Sequence, residues 1–135
     1  MNNSINSKIE ILKSEFEILN NPMDKYQYII DLGKDKKNIS KGIRQDKNLV
    51  KGCVSKAWMH IESKEEPIKI ITDSDALIVK GLLSILERLV NDSNLDDIQK
   101  LNGSEILNDI GLGYSISSQR TNGFVGAVNK IKMEI

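Results

Sequence analysis

Apolar residues recur three and four positions apart at the start of the chain. Ile5, Ile9, Leu12, Phe16 and Leu19 are interleaved with Lys8, Glu10, Lys13 and Glu17, which predicts an amphipathic helix over 5–19. Asn20-Asn21-Pro22 ends it. A second helix is predicted from about Asp24, which is placed to cap or to favour the first turn. Tyr26, Ile29, Ile30 and Leu32 supply its buried side, and Gly33 is predicted as its left-handed C-cap. The two helices are expected to form an antiparallel pair.

The pattern changes over 34–51, where Lys34, Lys36, Lys37, Lys41, Arg44, Lys47 and Lys51 face only Asp35 and Asp46. Gly42, Asn38 and Asn48 argue for loop or short turns. Alternation returns over Val54 to Ile61. Ala57, Met59 and Ile61 share one strand face, and Val54, Lys56, Trp58 and His60 share the other. Glu65-Glu66-Pro67 reads as a turn before a second strand, Ile68 to Thr72, giving an antiparallel hairpin.

The longest helix follows, with Asp73 or Ser74 as N-cap and Asp75 in the first turn. Ile78, Val79, Leu82, Leu83, Leu86, Leu89 and Val90 are dense enough to bury most of it. Gly81 in its middle costs about 1 kcal/mol against alanine, which points to close packing. Asn91-Asp92-Ser93-Asn94 terminates it. Short helical turns are predicted at Leu95 to Gln99 and Ser104 to Asn108, and a bend at Gly111 and Gly113. A last helix carries Phe124, Val128, Ile131 and Ile135. Strands grouped between helices predict an α+β fold, a small antiparallel sheet packed against several helices.

Composition adds bounds. At 135 residues, 39% apolar and 28% charged, the chain is expected to be one soluble domain spanning 1–135. Nineteen basic and nineteen acidic residues balance, so no general attraction to nucleic acid or to an anionic membrane is expected. The N-terminal residues contain no apolar run of signal-peptide length, and runs such as Ala76 to Val79 are too short to span a bilayer. A single cysteine fits a reducing compartment, and the expected location is cytoplasmic.

The candidate chemistry centres on Lys51-Gly52-Cys53-Val54-Ser55-Lys56-Ala57-Trp58, which holds the only cysteine and the only tryptophan. A lone cysteine is commonly a small buried apolar residue. The other reading is a reactive thiol, with nearby lysines favouring the thiolate. The only histidine, His60, lies seven positions on; along a straight strand that is roughly 23 Å, and the odd spacing turns it to the opposite face. A Cys–His catalytic pair is thereby disfavoured. One cysteine and one histidine cannot build a zinc or iron–sulfur ligand set. Asp73/Asp75 are explained by helix capping and Asp96/Asp97 by solvent exposure. Gly111-Leu112-Gly113 lacks the context of a nucleotide-binding fingerprint. What remains is a nucleophile without its own base, suited to sulfur exchange with another protein.

Several blocks, in order, resemble the SufE/CsdE family of sulfur acceptors. They are Tyr26 with Tyr28-Ile29-Ile30-Asp31-Leu32-Gly33-Lys34, Arg44, Asn48 to Trp58, Asp73-Ser74-Asp75-Ala76 with Ile78-Val79-Lys80-Gly81-Leu82, and Ser117-Ser118-Gln119-Arg120-Thr121-Asn122-Gly123. The family commonly has glutamines beside the loop serine, where this chain has Val54 and Lys56. The resemblance implies a fold like the U-type iron–sulfur scaffold, with the cysteine on a loop at the sheet edge. It also implies that Cys53 accepts persulfide sulfur from a SufS-type cysteine desulfurase, stimulates that enzyme, and relays the sulfur to a SufBCD-type scaffold. On that reading the chain is a carrier and activator, not a stand-alone enzyme. The pyridoxal phosphate belongs to the partner, and this chain holds no cofactor or metal. The alternative is a regulator that docks on a desulfurase without carrying sulfur. Gly52 and Ser55 are supporting loop residues. Arg120 either stabilises the thiolate or fixes the loop, or else makes a buried pair with Asp73 or Asp75. Asp73 and Asp75 support the loop or cap the helix.

Overall fold

The computed structural model describes residues 4–36, 42–52, 55–113 and 115–135. Its elements are α1 (Ile5–Glu17), α2 (Pro22–Asp35), a 3-10 turn at Asp46–Asn48, β1 (Ala57–Ser63), β2 (Lys69–Ser74), α3 (Leu77–Val90), α4 (Leu95–Gln99), α5 (Gly103–Ile110) and α6 (Ser118–Glu134). The fold is α+β, with one two-stranded antiparallel sheet among the described residues. Among those residues no helix is long and apolar enough to cross a membrane.

Helix α3 is the centre of the core. Nine of its residues are buried, including Val79, Leu82, Leu83, Leu86 and Leu89. It contacts α2, α6, α1 and β2. Gly81 lets α2 approach: a Cβ there would lie 1.9 Å from the Ile29 carbonyl oxygen. Gly33 answers from the other side, where a Cβ would lie 2.4 Å from the Leu77 carbonyl oxygen. The expectation that Gly33 ends α2 in a left-handed cap is therefore corrected. It is an interior helical residue retained for a close crossing, and Lys36 is the C-cap. Asn21 caps the N-terminus by accepting the Asp24 N–H at 2.9 Å, with Pro22 opening the helix.

The expected α1–α2 pair is also corrected. Helix α2 packs chiefly along α3, while α1 packs on α5. A T-shaped contact joins Phe16 of α1 to Tyr28 of α2, ring centroids 5.1 Å apart.

In the hairpin, Ala57, Met59 and Ile61 oppose Ser74, Thr72 and Ile70, forming the inner face. All three β1 residues are buried, as the alternation predicts. Trp58 on the outer face is buried too, because the segment 43–50 covers it. The outer edge of β2 is closed by side chains of α3 and of its C-cap residue, Asn91. The Ile70 N–H donates to Asn91 Oδ1 at 2.8 Å, and the Thr72 N–H to Glu87 Oε2 at 2.8 Å. Lys36 and the Thr72 hydroxyl also donate to Glu87, tying the end of α2 to the sheet.

A cysteine-loop candidate site

The site is built from two backbone stems. On the incoming side, the Val50 N–H donates to the Ala57 carbonyl at 2.9 Å, and Leu49 bridges antiparallel to Trp58. These contacts close a six-residue connection, 51–56, onto the start of β1. Cys53 and Val54 lie inside that connection and outside the described residues. The lysines Lys37 and Lys41 and Asn38 likewise lie outside them.

Gly52 before Cys53 and Val54, and Ser55 and Lys56 after them, are described. Gly52 is exposed with φ +87°, the left-handed region that favours glycine, and its Cβ position meets nothing within 4 Å. Ser55 is half-buried, and Lys51 and Lys56 are exposed.

Both stems are anchored to the end of β2. On the outgoing stem, the Lys56 carbonyl accepts from the Ser74 hydroxyl at 2.8 Å and from the Asp75 N–H at 3.1 Å. On the incoming stem, Arg44 Nε donates to Asp73 Oδ2 at 2.8 Å. The Arg44 guanidinium also lies 4.8 Å from the centroid of the Trp58 ring. Asp73 is fully buried and directly opposite Trp58. Its other oxygen accepts the Ser74 N–H at 2.8 Å, and Lys80 Nζ stands 3.7 Å away. Asn48, buried within the segment, donates to the Ile43 carbonyl at 2.9 Å.

Helix α6 supports the incoming stem from behind. Gly126 faces Lys51, and Lys130 Nζ donates to the Lys47 carbonyl at 3.2 Å.

The expected roles divide accordingly. Asp73 and Ser74 are strand residues, not helix caps; α3 begins three residues later, and the residue before it is Ala76, which offers no capping side chain. The Asp-Ser-Asp pattern suits a cap locally, but Asp73 Oδ2 and the Ser74 O–H serve the loop stems, while the Ser74 oxygen also accepts the Ala76 N–H at 3.2 Å. Asp75 is exposed and contributes its backbone N–H. Arg120 does not pair with Asp73 or Asp75. It is exposed, donates to the Tyr26 hydroxyl and lies 5.4 Å from that ring's centroid, linking the start of α6 to α2. His60 is exposed on the outer face of β1.

Arg44 is the residue whose place in the site sequence reasoning missed. Two signals were available: Arg44 stands among the blocks that carry the family resemblance, and it is the one arginine in a segment otherwise supplied with lysines. A planar fork that can pair with a carboxylate and stack on an aromatic ring is what lysine lacks.

Residues 10–135 match the family model for SufE, the Fe-S metabolism associated domain. An uncharacterized SufE-like protein of Rhizobium etli is 33% identical over 132 residues, covering 95% of this chain and 89% of that protein. The cysteine desulfuration protein SufE of Wigglesworthia glossinidia brevipalpis is 31% identical over 131 residues, covering 96% of this chain and 90% of its own. The solution structure of a hypothetical protein from Thermus thermophilus superposes with a TM-score of 0.72 at 13% identity, covering 96% of this chain and 91% of that one. That last likeness concerns the fold. The family match over nearly the whole chain and the two-stem loop around a single cysteine lead to one conclusion: this chain belongs to the SufE family of Fe-S metabolism associated domains.

Proposed function

We propose that this protein is a sulfur acceptor: Cys53 takes persulfide sulfur from a SufS-type cysteine desulfurase and passes it to a SufBCD-type scaffold for iron–sulfur assembly. One observation carries the reading. In a chain of the SufE family, the sole thiol occupies a six-residue connection whose two stems are bonded to the same strand end.

The chemistry needs only a nucleophile and a partner. The Cys53 thiolate attacks the outer sulfur of the donor persulfide. A Cys53–sulfur bond forms, the donor's S–S bond breaks, and the electron pair leaves with the donor cysteine as a thiolate. No net oxidation occurs. The partner supplies the pyridoxal phosphate that makes the persulfide; this chain supplies the attacking sulfur and its placement. Draining the persulfide frees the donor cysteine for another cycle, which accounts for stimulation of the desulfurase. The location that fits this role is cytoplasmic.

The test is desulfurase turnover of L-cysteine with wild-type protein and with Cys53→Ser. Stimulation by wild type that disappears in Cys53→Ser supports the carrier. Equal stimulation by both would replace it with a docking regulator that carries no sulfur.

A further inference from the structure

We propose that Arg44 is a positioning residue for the sulfur-accepting loop, acting through Asp73 and Trp58 on the stem that leads into Cys53. The inference rests on the sulfur-acceptor reading and assigns to one further side chain the placement of the loop.

The two stems are held by different means. The outgoing stem is fixed at the Lys56 carbonyl by a backbone N–H and a buried hydroxyl. Before the strand-like pairing at Leu49 and Val50, the incoming stem reaches the sheet through the Arg44 side chain. Arg44 spans two groups that face each other across the hairpin, Trp58 of β1 and Asp73 of β2. Its guanidinium therefore fixes 43–50 laterally on the sheet's outer face. The carboxylate it meets is fully buried, while the Arg44 side chain is itself 49% exposed. The carboxylate stays compensated without Arg44, because the Ser74 N–H and Lys80 remain beside it. Loss of Arg44 should then loosen the stem without stranding a buried charge. Positioning errors of about 1 Å cost up to about a hundredfold in rate, so the loss should be read in transfer itself.

The experiment uses the full chain and a persulfidated SufS-type desulfurase. Single-turnover sulfur uptake is followed against desulfurase concentration for wild type, Arg44→Ala, Arg44→Lys and Arg88→Ala, the last removing an arginine ion pair elsewhere on the surface. Hydrogen exchange at the amides of Lys51, Gly52, Ser55 and Lys56 is measured without partner. The expected result for Arg44→Ala is an uptake rate at saturation reduced about ten- to a hundredfold, with the half-saturating concentration unchanged and exchange accelerated in the loop. Arg44→Lys, which keeps the charge but not the stacked fork, falls between. Arg88→Ala matches wild type. Saturated uptake at the wild-type rate in Arg44→Ala overturns the proposal, whether or not half-saturation moves; unchanged loop exchange does so as well. If Arg44→Ala does not fold, Asp73→Asn and Arg44→Lys carry the test, and wild-type uptake by both overturns it. Should wild type itself take no sulfur, the acceptor reading fails. The exchange data then still decide whether Arg44 anchors the loop.

Discussion

Gly126 of α6 faces the Lys51 carbonyl so closely that a Cβ at Gly126 would lie 2.4 Å from that oxygen and 2.9 Å from Val50 Cγ1. The helix is thus fitted against the backbone two residues before Cys53. Gly126→Ala must displace either α6 or the stem, and the stem, held at one edge of a two-stranded sheet, is the softer element. We expect sulfur uptake to fall several-fold. Stability should drop by about 1–3 kcal/mol, the usual cost of overpacking. Denaturant unfolding alongside single-turnover uptake checks both.

The crossing of α2 and α3 is less forgiving. Gly81→Ala would place a Cβ 1.9 Å from a backbone oxygen inside the core, where neither helix can yield alone. Helix propensity favours alanine over glycine by about 1 kcal/mol, and that gain is overwhelmed by the clash. The expected outcome is a loss of at least about 3 kcal/mol or failure to fold. Thermal denaturation monitored by circular dichroism measures it. A variant as stable as wild type would mean the helices are not in contact there.

Lys8 supplies a second kind of lock. Its ammonium donates to the Asn91 carbonyl at 2.8 Å, the Ser93 hydroxyl at 2.9 Å and the Leu89 carbonyl at 3.4 Å, so α1 caps the C-terminal end of α3. Burial lowers the Lys8 pKa from its usual value, with Asp92 and Asp97 opposing. Lys8→Met keeps the stem's apolar packing but removes the donors. It should cost about 1–3 kcal/mol in denaturant unfolding.

Tyr28 gives the fold a pH dependence on the alkaline side. Burial, and then the nearby Glu15 carboxylate, raise its hydroxyl pKa above 10.0, against the opposing pull of Arg88. The folded value exceeds the unfolded one. The stability this contributes is complete below the unfolded phenol range and is lost as pH rises through the folded value. Unfolding free energy measured from pH 8 upward should decline above about pH 10, and more steeply in wild type than in Tyr28→Phe. Equal slopes would exclude the residue.

The helices were legible because each buries a stripe that repeats with the helical period. Leu12 and Phe16, Leu82 and Leu86, and Phe124 and Val128 are all buried where spacing placed them. The hairpin was legible for the same reason at period two. Gly33 and Asp73 were misread because local patterns fit more than one environment. A glycine near a helix end suits a cap, and an aspartate before an apolar run suits an N-cap. What decided both were partners far along the chain, Leu77 and Gly81 for Gly33, and Arg44 for Asp73. The pairing of Arg120 with Asp73 or Asp75 was misread in the same way, its partner Tyr26 lying on another helix. Of the candidate site, the Cys53 reading comes from chemistry and motif, and Cys53 itself lies outside the described residues. The anchoring of both stems on Asp73, Ser74 and Asp75 depends on strand register, which the sequence pattern did not determine.

Intact-mass measurement after incubation with a cysteine desulfurase and L-cysteine tests the central claim most directly. Wild-type protein should gain the mass of one sulfur atom, removable by a thiol reductant, and Cys53→Ser should gain none. No gain on wild type, or an equal gain on Cys53→Ser, would contradict the assignment of Cys53 as the sulfur acceptor.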